Sequence, residues 1–123
     1  MNKELQFFNL MTGEISETDK VSWASCYWGD NNLFFDIPMG QISINFNSKN
    51  DLIDFCDLLL CGYNHPEYTE LHINRFLIAL EEDEGCRNLC IRDSRLYFII
   101  NLKTDMLRKL SQWLRLYVRR IEE

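Results

Sequence analysis

The sequence predicts an α+β fold: an antiparallel sheet built from two related halves, each of about three strands followed by a helix, with both helices on one face of the sheet. Three observations carry this expectation. Residues Gln41–Asn47 alternate apolar and polar side chains and run straight into a capped, amphipathic segment. Leu96–Leu114 has the same strand-to-helix pattern. The two stretches align, pairing Ile42 with Phe98, Ile44 with Ile100, Phe46 with Leu102 and Ser48 with Thr104; after one skipped residue Leu52 pairs with Leu107, Phe55 with Leu110 and Leu59 with Leu114. A strand-to-helix unit of this kind buries one sheet face under its helix. The expectation is a single domain over residues 1–123, with halves at about 21–62 and 71–121.

The elements follow in order. Leu5, Phe7, Phe8, Leu10 and Met11 form a small apolar cluster before Gly13 and an acidic stretch, read as a short strand or packed arm and then a loop. Val21, Trp23, Ser25 and Tyr27 alternate with Ser22, Ala24, Cys26 and Trp28, the period of a strand. Gly29-Asp30-Asn31-Asn32 is a dense turn signal, and Leu33, Phe35 and Ile37 share one face of the next strand, closed by Pro38-Met39-Gly40. Ile42, Ile44 and Phe46 make the cleanest half-buried strand. Ser48 to Asp51 resembles a capping box, and Leu52, Phe55, Cys56 and Leu59 stripe the helix that follows, with Gly62 as its stop and Pro66 beyond it.

Leu71–Leu80 fits a strand or a short helix, and its β-branched and aromatic content favours a strand. Glu81 to Gly85 reads as an acidic turn. Leu89 and Ile91 mark one face of the strand over 86–92, and Leu96, Phe98, Ile100 and Leu102 point inward from the last strand. Thr104 is the expected N-cap of the last helix, whose apolar stripe is Leu107, Leu110, Leu114, Tyr117 and Ile121. Arg108, Gln112, Arg115 and Arg119 fall opposite. Trp113 and Leu116 lie between the two faces, covered either by a partner or by the first helix or the N-terminal arm.

The repeat resembles two known architectures. One is the Pur-alpha and Whirly type of fold, in which sheet strands followed by a helix occur as repeats and bind single-stranded nucleic acid across the sheet. The other is a family of small uncharacterised proteins of Bacteroidota-type bacteria, similar over roughly residues 20–121: a Cys-containing strand, an aromatic strand, then an I-x-I-x-F-x-S strand (Ile42, Ile44, Phe46, Ser48) with a capped helix, repeated near the C-terminus. Those proteins usually carry paired cysteines in the first strand, where this chain has Cys26. Neither resemblance supplies functional residues.

Composition narrows the function classes. The chain of 123 residues has net charge −6, so a phosphate backbone must first overcome repulsion. The last 23 residues carry six Lys/Arg and three acids, which leaves an acidic body with a basic final helix. The first ten residues hold no continuous apolar core or cleavage site, no run approaches a membrane span, and five cysteines form no secreted-type framework; the expectation is a cytoplasmic protein with reduced thiols and no membrane contact.

Catalytic and metal motifs are sparse. Cys86 and Cys90 have a zinc-like spacing, but on an extended strand they stand about 13 Å apart, too far for one ion. Cys56 and Cys61 fall on different helix faces, and no spacing ties a thiol to His65 or His72, the only histidine bases. Glu81 to Glu84 reads as a solvated turn, and the five glycines form no phosphate loop. No cofactor and no enzymatic activity are therefore expected. The reading is a binding or regulatory module acting through a protein partner or a second copy of itself, with Arg108, Trp113, Arg115 and Arg119 as the candidate contact residues. The competing class is a single-stranded nucleic-acid binder, with Trp23, Tyr27, Trp28, Phe34 and Tyr97 as stacking residues and Arg92, Arg95, Arg108 and Arg115 on phosphates.

Overall fold

The computed structural model describes residues 5–17, 24–64 and 70–122. Nine strands and two helices succeed one another in an α+β arrangement: β1 (Phe7–Asn9), β2 (Ile15–Ser16), β3 (Ser25–Gly29), β4 (Asn32–Ile37), β5 (Gly40–Asn45), α1 (Lys49–Asn64), β6 (Glu70–Ile73), β7 (Phe76–Asp83), β8 (Cys86–Arg92), β9 (Tyr97–Lys103) and α2 (Thr104–Arg115), with a 3₁₀ turn at Val118–Arg120. All strand pairs are antiparallel.

The strands form two sheets, in the orders β2-β1-β3-β4-β5 and β6-β7-β8-β9. This corrects the expectation of one shared sheet. The reason lies at the facing edges. Beyond β5 the chain leaves the ladder for α1, and the junction with the second sheet is made by side-chain amides. Asn74 Nδ2 donates to the Asn45 carbonyl, and Asn47 Nδ2 donates to Asn74 Oδ1 at 3.4 Å. Alternation along a strand is the same whichever neighbour it pairs with, so sequence pattern alone does not separate one sheet from two.

Turn chemistry explains the meanders. Asp30-Asn31 (φ 49° and 61°) and Glu84-Gly85 (φ 35° and 83°) are two-residue loops in left-handed conformations, whose twist matches that of the strands they join. Residues 71–80 hold a hairpin and not one strand: Ile73 pairs with Phe76 across Asn74-Arg75, with Asn74 at φ 55°. Strand β7 then runs through Glu81–Asp83, so the acidic turn is shorter than its composition suggested. The expected strand over Val21–Trp28 begins at Ser25; Val21 and Trp23 lie outside the described residues.

Helix α1 opens as expected, with Ser48 Oγ accepting from the Asp51 amide at 3.1 Å. It continues past Gly62 to Asn64, so Gly62 is not its stop. Helix α2 begins at Thr104 itself, with Lys103 as N-cap, and the Thr104 hydroxyl donates instead to the Gly85 carbonyl at 3.1 Å. It ends at Arg115, where the Leu116 and Tyr117 amides tighten onto Trp113 and Leu114. Tyr117 and Ile121 are still buried, carried inward by the turn that follows.

Each helix reaches the sheet it does not directly follow. Helix α1 lies close to β6 and β7, while α2 meets β1 through Trp113 on Phe8, with ring centroids 5.3 Å apart. The helices touch along their length: the buried Ser111 hydroxyl donates to the Cys56 carbonyl at 2.8 Å, and Arg115 pairs with Asp57 at 2.6 Å. A single hydrophobic cluster spans both sheets and both helices. Through it runs a chain of six rings, Phe8–Trp113–Tyr117–Trp28–Phe46–Phe55, each link between 5.0 and 5.8 Å. Such contacts add about 0.5–1.5 kcal/mol per pair beyond the area they bury.

Candidate functional site

The contact residues expected on α2 do not form one surface. Trp113 is a core residue, 3% exposed, and this corrects its place in the candidate set. Its ring packs on Phe8 and Tyr117, and its Nε1 donates to Gln6 Oε1 at 3.3 Å. The N-terminal arm therefore covers it, one of the alternatives open from the sequence. Leu116 is left 61% exposed. Arg115 is held by Asp57, Arg108 is half-buried, and Arg119 is exposed beyond the end of the helix.

The aromatic residues divide as well. Trp28 is inside the core. Tyr27 and Phe34 stack at 4.8 Å on the outer side of the first sheet, with Phe7 edge-on to Tyr27 at 5.4 Å and Gln41 Nε2 donating to the Tyr27 hydroxyl at 2.9 Å. No Lys or Arg occurs in residues 5–17 or 24–48, the segments that build this sheet. Trp23 lies outside the described residues.

The second sheet has an outer face of a different kind. Register sets its rows. His72, Leu77, Arg92 and Tyr97 form one row; Glu70, Ala79, Cys90 and Ile99 form the next; Glu81, Asn88 and Asn101 form the third. The opposite side chains of β9, namely Phe98, Ile100 and Leu102, are buried in the core. Tyr97 and Ile99 stand 49% and 43% exposed, so no element among the described residues closes this face. The result is an apolar strip across β7, β8 and β9, with the polar His72 and Glu70 beside it on β6, Arg92 in its first row and Glu81 in its third. Asn101 Nδ2 ties the third row together by donating to Asn88 Oδ1 at 2.8 Å and to Asp83 Oδ2 at 3.1 Å.

The centre of the strip is uncharged. Burial pushes the Cys90 thiol up from its ordinary pKa, with the Tyr97 hydroxyl opposing, and the hydrogen bond to Cys90 in turn holds the Tyr97 phenol above its usual range. Both groups are neutral at physiological pH, and a thiol held in that state is a poor nucleophile. His72 lies two strands and one row from Cys90, about 12 Å by sheet spacing, which is no catalytic pair. His65 lies outside the described residues.

Two further thiols are inert for a similar reason. Cys26 is buried and its pKa is raised well above the ordinary value. Burial pushes Cys56 up to about 12, with the Arg115 charge pulling the other way. Cys61 and Cys86 are half-exposed. A thiol-titration time course on the native protein should show two fast groups, Cys61 and Cys86, and three that react more than about tenfold more slowly until denaturant is added. Fast modification of Cys90 would mean that the strip is looser than described. Among the described residues, no three His, Cys, Asp or Glu side chains converge as metal ligands, and no helix is long and apolar enough to cross a membrane.

Two clefts lie elsewhere on the surface of the described residues. One, of about 440 Å³, lies between Trp28, Asp30, Arg120 and Glu122; the Arg120 guanidinium sits over the Tyr117 ring at 4.8 Å. The other, of about 350 Å³, is lined by Asn32, Asn45, Asn47, Asn74 and Arg75, whose amides largely satisfy one another. No family model, curated protein or solved structure matches the chain.

What could have been read earlier is the outward direction of Tyr97 and Ile99, which follows from the inward Phe98 and Ile100. What could not be read is that Leu77, Ala79 and Cys90 lie beside them, because that depends on register across three strands.

Proposed function

We propose that the chain is a binding or regulatory module that works through protein contacts and not through catalysis, with the outer face of the second sheet as its contact surface. The observation that carries this reading is the exposure of Tyr97 and Ile99 on the same sheet face as the half-buried Leu77 and Ala79 and the buried Cys90, with Arg92 set between Leu77 and Tyr97. Isolated exposed apolar residues are ordinary, whereas a contiguous flat patch rimmed by charge is the signature of an interaction site. The charged rim of Arg92, Glu70 and Glu81 adds the orientation that an apolar strip lacks.

A single-stranded nucleic-acid binder needs stacking rings and cations on one surface. Here the stacked Tyr27 and Phe34 sit on a sheet whose described strands contain no Lys or Arg, and of the candidate rings among the described residues Tyr97 alone lies beside a candidate cation, Arg92. That separation favours the protein-contact reading. We also read the two halves as related copies and the protein as cytoplasmic. The first is supported by two antiparallel meanders that each run directly into a helix, and the second by five unpaired cysteines, which a reducing compartment would keep so.

The test is photo-crosslinking in cells. A photoreactive amino acid is placed at Ile99 and, as a control, at the exposed Gln112 on α2. Protein adducts from position 99 that are absent from position 112 are expected. Equal or absent labelling at the two positions would remove the basis for this surface.

A further inference from the structure

We propose that the occupant of the open face of the second sheet is a second copy of the same chain, packed face to face about a two-fold axis that lies along the Ala79–Cys90–Ile99 row. The inference rests on the contact surface just proposed and names its partner. The argument is the order of charge across the strip. Arg92 stands in the row on one side of the central row, and Glu81 in the row on the other. Among the described residues neither is part of an ion pair within the chain. A two-fold axis along the central row exchanges the flanking rows. It lays the central row of one copy on that of the other and brings Arg92 of each copy over the Glu81 row of its mate. An isologous interface must be self-complementary in this way, because each patch meets itself reversed.

The other charges divide under the same operation: Glu70, in the central row, meets its own copy and weakens the association, whereas the Arg95 end is set over the Asp83 end. Asp83 and Glu84 lie beyond Glu81 at the acidic end, with Lys103 opposite Asp83 across Cys86. Arg95 lies beyond Arg92 in the turn that Asp93 organises through the Arg95 and Leu96 amides. The apolar centre needs no ionic partner, because Cys90 and Tyr97 stay uncharged.

Area sets the strength. Four strands about 4.8 Å apart and three rows about 6.8 Å apart give a footprint of about 400 Å² per copy, half of the roughly 800 Å² per partner of a standard interface. The association is therefore concentration-dependent, with monomer and dimer in exchange, and not obligate.

Sedimentation equilibrium of the purified chain, from micromolar to millimolar, should show a reversible monomer–dimer equilibrium. Arg92→Glu alone and Glu81→Arg alone should each weaken it at least about tenfold, since each places like charges face to face. An equimolar mixture of the two variants should dimerise near wild-type strength, because one contact then keeps its native sense and the other is restored with its charges exchanged. Ile99→Lys should abolish association, with unchanged circular dichroism and melting showing that the fold is intact. Failure of the mixture to recover association overturns the proposed pairing. A wild-type chain that stays monomeric at millimolar concentration, while position 99 crosslinks to a different protein in cells, overturns self-association and leaves the contact surface standing. A monomeric chain with no adduct at position 99 overturns both.

Discussion

Trp113→Ala is expected to cost about 3–5 kcal/mol of folding stability, the range for truncating a large aromatic in a packed core. The indole is 3% exposed and is the second ring in the six-ring chain, in contact with Phe8 on β1 and with Tyr117 beyond α2. Its removal opens a cavity between α2 and the first sheet and leaves Gln6 Oε1 with only the Tyr117 hydroxyl, at 3.3 Å, of its two side-chain donors. Trp113→Phe keeps most of the packing and loses the indole N–H, so its cost should be well under half that of alanine. Equilibrium urea denaturation of the three proteins checks both statements. A near-neutral alanine variant would mean that the arm does not seal this side of the core. Because Trp113 lies far from the Tyr97–Ile99 strip in the topology, the folded fraction of the phenylalanine variant should dimerise as wild type does, which separates its structural role from a contact role.

The strand and helix content was legible wherever a local pattern decides it. Ile42 and Ile44, like Phe98, Ile100 and Leu102, alternate cleanly and are buried, and Ser48 caps α1 through the hydroxyl that its position beside a polar run implied. Where a single residue decides, the pattern was silent. The turn at Asn74 needs one left-handed residue, and an asparagine between apolar neighbours does not announce it as Asn31 does beside Gly29 and Asp30. Thr104 likewise looked like a cap. In the fold its hydroxyl is drawn to Gly85, a turn that only tertiary structure brings near. The candidate site followed the same division. A basic, partly apolar α2 suggested a contact surface, but whether Trp113 faces water depends on Phe8 and Gln6, more than a hundred positions earlier in the chain. The strip on the second sheet is assembled from β7, β8 and β9 by register, and no one of those strands reads as a surface by itself.

Removal of the N-terminal arm is expected to abolish cooperative folding. A chain starting at residue 18 lacks β1 and β2, and with them Phe8 at 1% and Leu10 at 3% exposure. Truncations of a buried Phe and a buried Leu cost about 3–5 and 2–5 kcal/mol in well-packed cores, so together they approach the roughly 5–15 kcal/mol that stabilises a whole domain. Two further losses point the same way. β3 loses its ladder partner, since Phe7, Phe8 and Asn9 pair with Tyr27, Cys26 and Ser25. The turn of the arm also packs onto α2: Gly13 lies at φ 78°, in the left-handed region, and a β-carbon there would come within 2.7 Å of Lys109 Cδ. With the arm gone, Trp113 faces water on a helix that has lost its cover. The shortened chain should show a broad, non-sigmoidal melt and enhanced binding of hydrophobic dyes, while Phe8→Leu in the full chain, which refills most of the volume, should keep a sharp transition at a lower temperature. A sharp melt within a few degrees of wild type for the shortened chain would mean that the three-stranded remainder of the first sheet closes the core without the arm.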